Sequence, residues 1–307
     1  MSLPIEETIA ELVNSEQPLR NSRLVDLSNL NSEELGLWER AWVNIEPKRR
    51  RQIIYRLVEL AEDNFELDFE SIFRNCLKDQ DAEVRGKAIA GLWESEDTSL
   101  IRPFINLLEQ DSSVNVQAVA ATALGKFTML AELGKLRSGH TSKVCQALLG
   151  VINNKNRFVE VRRRALEAAA PLSLPQVEKA IGEAYQSHNR QLEISAIYAM
   201  GKNGNRSWLP ILLRKLSSAD VEIRYEAAGA CGELGEEETV PYLIELIGDP
   251  DVDVRVAALQ ALGKISGSEA KKCLQQCLNN PSEVIRQTAE QSLYELEAEE
   301  SSFTFRV

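Results

Sequence analysis

Cys273 and Cys277 stand four residues apart, a spacing that brings two thiols to one face of a helix and could supply half of a tetrahedral metal site. No second Cys or His pair stands near them. Both are therefore expected to be small buried apolar side chains, with Cys277 in the register of Leu246 and Cys231 in that of Leu262. The two histidines, His140 and His188, have no Ser, Cys or carboxylate at a motif spacing and are expected in surface loops. The run Lys48-Arg49-Arg50-Arg51, with Arg56 behind it, could receive an acidic partner or phosphates. Four consecutive residues spread around a helix, however, so a solvated helix start is the expectation. No catalytic set, metal site or cofactor site is read from these residues.

The most regular feature is a row of Arg162, Glu193, Arg224, Arg255 and Arg286, each 31 residues after the last and each preceded by Val, Ile or Leu. A period of that size marks a repeat protein. Around two anchors the chain reads Asp220-Val-Glu-Ile-Arg-Tyr-Glu-Ala227 and Asp251-Val-Asp-Val-Arg-Val-Ala-Ala258. Within each repeat the spacing predicts two antiparallel helices, the second with an apolar stripe such as Val254, Ala258, Ala261 and Leu262. Asp81, Ser113, Asn189, Asp220, Asp251 and Ser282 lie where an oxygen can accept from the free amides of a helix start. Gly125, Gly201, Gly232 and Gly263 are read as helix stops, and Pro103, Pro210 and Pro241 as starts of the first helices.

The earlier anchors Arg85 and Gln117 are followed by a step of 45 to Arg162, so an insertion is expected near 126–143, built as a helix extension and a loop. The expected organisation is an N-terminal helical cap over 1–62, a repeat array over 63–297 and a flexible tail over 298–307. In the cap, Ser32 to Val43 and Pro47 to Glu62 read as helices with Trp38, Trp42, Ile53, Ile54, Leu57 and Leu60 on an apolar face. Phe303, Phe305 and Val307 are expected to fold back over the last repeat.

The pattern Asp-x-x-Val-Arg-x-x-Ala followed by Ala-Leu-Gly resembles the HEAT repeat, in the short form of the phycobilisome-lyase-like group, over about residues 70–296. The resemblance implies an all-α solenoid, a superhelical array of antiparallel helix pairs. It also implies a hydrogen-bonded ladder between repeats made by Asp81, Arg85, Asp220, Arg224, Asp251, Arg255 and Arg286, interrupted at Gln117, Phe158 and Glu193. In such arrays the positions one, two and five after each anchor line the concave side. They are occupied here by Lys87, Arg163, Arg164, Tyr198, Tyr225, Glu226 and Gln260, including the Tyr and Arg types that carry binding energy at interfaces.

The leading functional expectation is a non-catalytic scaffold that binds a protein or peptide through that row. The alternative is a bilin lyase or chaperone-like subunit acting on a phycobiliprotein. A di-iron hydroxylase of similar architecture uses paired His-Glu motifs, and neither histidine here precedes Glu. A base-excision glycosylase on such a fold would want a basic groove.

Composition agrees with these expectations. Aromatic residues make up 6% of the 307, and the abundance of Leu, Ala and Glu favours helices. A net charge of -12 argues against nucleic acid as a partner. Residues 1–30 have no continuous apolar stretch, so neither signal peptide nor membrane span is expected. Five scattered cysteines do not form a disulfide framework, which suits a reduced, cytoplasmic monomer.

Overall fold

Most second helices of the repeats start at side-chain caps. Asp81 Oδ1 accepts from the amides of Glu83 and Val84, and Asp251 Oδ1 from those of Asp253 and Val254. Asn189 and Asp220 cap in the same way, each satisfying a first-turn amide that the helix itself leaves open. Phe158 offers no such oxygen, and the helix after it starts without a side-chain cap.

The computed structural model describes residues 5–265 and 267–304, with eighteen α-helices and no strands among them. They divide into two compact units, Met1–Val151 and Ile152–Val307.

The first unit holds α1 (Ile5–Val13), α2 (Asn21–Val25), α3 (Ser32–Trp42), α4 (Pro47–Asp63), α5 (Glu70–Cys76), α6 (Ala82–Gly91), α7 (Ile101–Gln110), α8 (Val114–Glu132) and most of α9 (Ser138–Asn153). Helices α4, α6 and α8 pack successively on one another, and α5 and α7 flank α6 and α8 as their antiparallel partners. Helix α3 opens with a capping box, in which Asn31 Oδ1 accepts from Glu34 N while Glu34 Oε2 accepts from Asn31 N. Its apolar face buries Trp38 and Trp42, with ring centroids 5.0 Å apart.

The basic run is not solvated as expected. Arg49 and Arg50 are only 4% and 8% exposed, because α2 and α6 both pack against the helix they start. Arg49 Nε donates to the Leu12 carbonyl, Arg50 lies 3.2 Å from Asp79, and Arg51 pairs with Asp81 at 2.9 Å. Burial lowers the pKa of Arg49. The run joins α4 to α1 on one side and to the next helix pair on the other, leaving only Lys48 and Arg56 to solvent.

The insertion is built mainly as helix. Helix α8 runs on past Gly125 to Glu132, and α9 begins at Ser138 after a short turn with Gly134 at φ 70. His140 thus lies in the first turn of α9 rather than in a loop, while His188 does sit in a turn, at φ 57.

The second unit holds α10 (Val159–Ala169), α11 (Pro175–Tyr185), α12 (Arg190–Asn203), α13 (Leu209–Lys215), α14 (Val221–Leu234), α15 (Val240–Leu246), α16 (Val252–Lys264), α17 (Ser268–Cys277) and α18 (Glu283–Thr304). Helices α10, α12, α14, α16 and α18 stack in sequence, and α11, α13, α15 and α17 pair with the helices that follow them. Cys231, Cys273 and Cys277 are buried, and burial pushes the Cys231 thiol up to about 12. No cluster that could hold a metal occurs among the described residues.

Gly201, Gly232 and Gly263 are not the stops the sequence suggests. A Cβ on Gly201 would lie 2.6 Å from Ala230 Cα, one on Gly232 2.7 Å from Ala261 Cα, and one on Gly263 2.7 Å from Ser292 Cβ. These glycines let successive second helices touch backbone to backbone. The turns out of α12 and α14 are made instead by Gly204 at φ 69 and Gly235 at φ 71. At the far end α18 continues through Thr304, so the segment 298–304 expected as tail is helix. The expected packing of Phe303, Phe305 and Val307 lies outside the described side chains.

Candidate functional site

Two ladders fix the rotation of the second helices and so decide which side chains face outward. Arg85 Nε and Nη2 donate to the two oxygens of Asp111 at 2.7 Å each, and Nη1 caps the Asp79 carbonyl. Arg224 repeats this with Asp249 at 2.7 and 3.0 Å and with the Ser218 carbonyl. Bidentate geometry of this kind couples orientation to charge. The hydrogen bond from Arg224 holds the Asp249 carboxyl below its ordinary range and raises the pKa of Arg224 in turn.

The aspartates of this ladder are Asp111 and Asp249, two residues before the helix caps. The capping residues form a second, outer row, with Asp81 receiving Arg51 and Asp220 receiving Arg190 at 2.5 Å. Where Arg255 would need the next ladder acid the chain has Asn280, and Arg255 Nε is buried without a partner. Arg286 donates to the carbonyls of Asn280 and Pro281, and Asp251 caps α16. At Glu193 the polarity is reversed, and Lys215 Nζ approaches Glu193 Oε1 at 2.6 Å.

Of the residues read as a binding row, Lys87 belongs to the first unit, where its Nζ lies 4.3 Å from the centre of the Tyr55 ring. The other six belong to the second unit. Tyr198 and Tyr225 are 38% and 41% exposed, and together with Glu226 and Gln260 they line a cleft of about 230 Å³ across α12, α14 and α16. Gly229 and Ala257 form its small-residue wall, and Lys202, Glu233 and Lys264 complete it.

Arg163 and Arg164 are less available than their types suggest. Arg163 Nε donates to Ser195 Oγ and its Nη1 to Glu160, while Arg164 pairs with Glu160 at 2.9 Å and Glu167 at 3.0 Å. Ser195 in turn donates to Glu167 at 2.6 Å. Lys202 and Lys264 converge on Glu233 at 2.9 and 2.5 Å. Burial pushes Glu233 up, but hydrogen bonds from the two lysines outweigh it and leave the carboxyl below its usual range. Four cations and four carboxylates on this face, most already paired, leave it close to electrically neutral.

Glu226 is the exception. Burial first, then the neighbouring charges of Glu167 and Glu222, push its carboxyl up to about 7, against a smaller opposing pull from Arg163. The folded chain therefore keeps this proton at pH values where the unfolded chain has lost it. Stability contributed by Glu226 falls as pH rises from about 4.5 to about 7 and is level above that. Glu226→Gln should gain stability over the parent by about 1–2 kcal/mol more at pH 8.5 than at pH 4.5, a figure discounted for partial exposure. Urea unfolding at the two pH values measures the difference, and equal values at both would remove the assignment.

A family model for HEAT repeats matches residues 71–159 and 209–294, more than half of the chain. The chain belongs to the HEAT-repeat family. As in other HEAT proteins the fold is an all-α solenoid, and the two matched stretches fall mainly on either side of the division between the units. Among solved structures the HEAT chain is similar to the CpcE–CpcF complex of phycocyanin lyase from Nostoc sp. PCC7120, at 19% identity and a TM-score of 0.47 over 74% of this chain and 94% of that one. It is also similar to human deoxyhypusine hydroxylase, at 18% identity and a TM-score of 0.37 over 96% of each chain. A third is importin beta, at 14% identity and a TM-score of 0.43 over 95% of this chain and 41% of that one. At these scores the likenesses say nothing of activity. No curated protein matches the sequence.

Sequence reasoning missed Asp111 and Asp249, although an acid two residues before the cap recurs in Asp79-Gln-Asp81, Asp111-Ser-Ser113 and Asp249-Pro-Asp251. It also missed Glu160, Glu167 and Glu233, which hold the basic side chains of the face. The signal for the first two was present, since Glu160 lies three and four residues before Arg163 and Arg164, and Glu167 the same distances after Arg164 and Arg163.

Proposed function

We propose that this protein is a non-catalytic scaffold whose second unit binds an extended protein or peptide segment along α10, α12, α14 and α16. The observation that carries the reading is the pair Tyr198 and Tyr225, two half-exposed aromatic rings on adjacent helices at the edges of one cleft, beside the small side chains Gly229 and Ala257. Tyrosines so placed offer large contact area with little entropy to lose, and a hydroxyl to pair with a peptide group. Gln260 adds an exposed amide able to donate and accept. The arginines act chiefly by holding Glu160 and Glu167 in place, so recognition depends on stacking and hydrogen bonds more than on net charge.

Two expectations follow for a partner recovered with this protein from its native cell. Tyr198→Ala together with Tyr225→Ala should weaken the association by about a hundredfold, on the scale of two interface tyrosines. Helical content should stay unchanged, since neither ring is enclosed. Because the face is close to neutral, raising salt from about 50 to about 300 mM should change the affinity by less than about fivefold. Undiminished binding by the double variant would remove the reading.

A further inference from the structure

A second cavity lies in the first unit, on the other class of helix. It opens between α7 and α9, with a volume of about 460 Å³, within the range of small-molecule sites. Its floor is apolar, made by Ile101, Ile105 and Ala147. Around it stand Arg102, Lys143 and His140.

Three features characterise this lining. In a molecule of net charge -12, Arg102 and Lys143 stand side by side at one cavity and make no ion pair among the described residues. His140 Nδ1 is closed off from solvent and has no hydrogen-bond partner, so this ring nitrogen is left unsatisfied. Glu109 is the one carboxylate at the cavity. Arg102 and Lys143 against this single carboxylate leave the lining with a surplus of positive charge.

Unpaired cations over an apolar floor match one ligand chemistry, a charged head on a short hydrocarbon body. We propose that this cavity binds a small organic carboxylate. Its headgroup is held by Arg102 and Lys143, its apolar portion lies against Ile101, Ile105 and Ala147, and a modest rotation of His140 gives the imidazole the partner it lacks. A carboxylate accepts from guanidinium and ammonium donors together, which are the charge-assisted bonds worth most in a partly enclosed site. The site is independent of the face proposed for protein binding, so either assignment can fail without the other.

The test is a titration of the full chain with hexanoate, read by calorimetry and by the ring signals of its two histidines, with hexanol and acetate as controls. Hexanoate should saturate with a dissociation constant of about 1 mM or tighter. Hexanol, lacking the charge, and acetate, lacking the hydrocarbon, should each bind at least about tenfold more weakly. The His140 ring signal should move with saturation while that of His188, in the other unit, stays fixed. Arg102→Ala with Lys143→Ala should lose at least about tenfold in affinity. Both side chains are exposed, so the fold should survive, and an unchanged circular dichroism spectrum verifies it. Hexanoate that does not saturate, hexanol or acetate that binds equally well, a double variant with parental affinity, or an unmoved His140 signal would each overturn the proposal.

Discussion

Gly232→Val should remove most of the stability of the second unit. A Cβ at that position would sit 2.7 Å from Ala261 Cα and 2.9 Å from Ala261 Cβ, and the obstacle is largely backbone, which cannot rotate away. Helices α14 and α16 would have to separate, losing contact along the repeat interface on which a solenoid depends. The expected loss is more than about 4 kcal/mol for Val and about 1–3 kcal/mol for Ala, whose better helix propensity offsets part of the clash. Pairing Gly232→Ala with Ala261→Gly should recover part of the loss, since it returns some of the space. Denaturant unfolding of the three variants provides the check, and a Gly232→Val chain as stable as the parent would mean that the helices do not cross at this point.

Arg224→Ala should cost about 3–5 kcal/mol, the second large effect. Its guanidinium and the Asp249 carboxylate are 11% and 5% exposed, so removing the cation strands a buried anion and leaves the Ser218 carbonyl without its donor. Replacing both partners by apolar residues should cost less than the single change, because no unpaired charge remains. The pair also sets an acid dependence. Asp249 is held below its ordinary 3.8, so its stabilisation is fully present above that value and is lost as pH falls through the folded pKa. Arg224→Ala should flatten this acid limb, and an unaltered limb would assign it to other carboxylates.

The 31-residue period was legible because each repeat must solve the same problem, turning one helix face to its neighbours with the same cap, the same arginine and the same small residues. Helix starts could be read because a capping oxygen acts within four residues. The glycines misled because a glycine that ends a helix and one that lets two helices touch are the same letter, and only the partner helix distinguishes them. Gly201 and Gly204 stand three residues apart and serve the two purposes separately. The basic run misled for a similar reason, since its burial depends on α2 and α6 and its pairing on Leu12 and Asp79, all outside the run.

For the face proposed to bind a partner, the row of side chains was legible in the sequence but its charge was not. Tyr198 and Tyr225 follow from their place in the repeat, whereas the availability of Arg163 and Arg164 depends on rotamers that Glu160, Glu167 and Ser195 select. The cavity at His140 could not be read, because the histidine falls in the insertion that breaks the period.

A photo-crosslinking amino acid placed singly at Tyr198, Tyr225 and Tyr242 compares two cleft positions with a tyrosine of similar exposure, 45%, on a first helix outside the cleft. Irradiated in the native cell, the variants at 198 and 225 should both join the same partner protein, and the variant at 242 should not. Adducts at 242 as strong as those at the cleft, or none at either cleft position, would contradict the assignment of that face to partner binding.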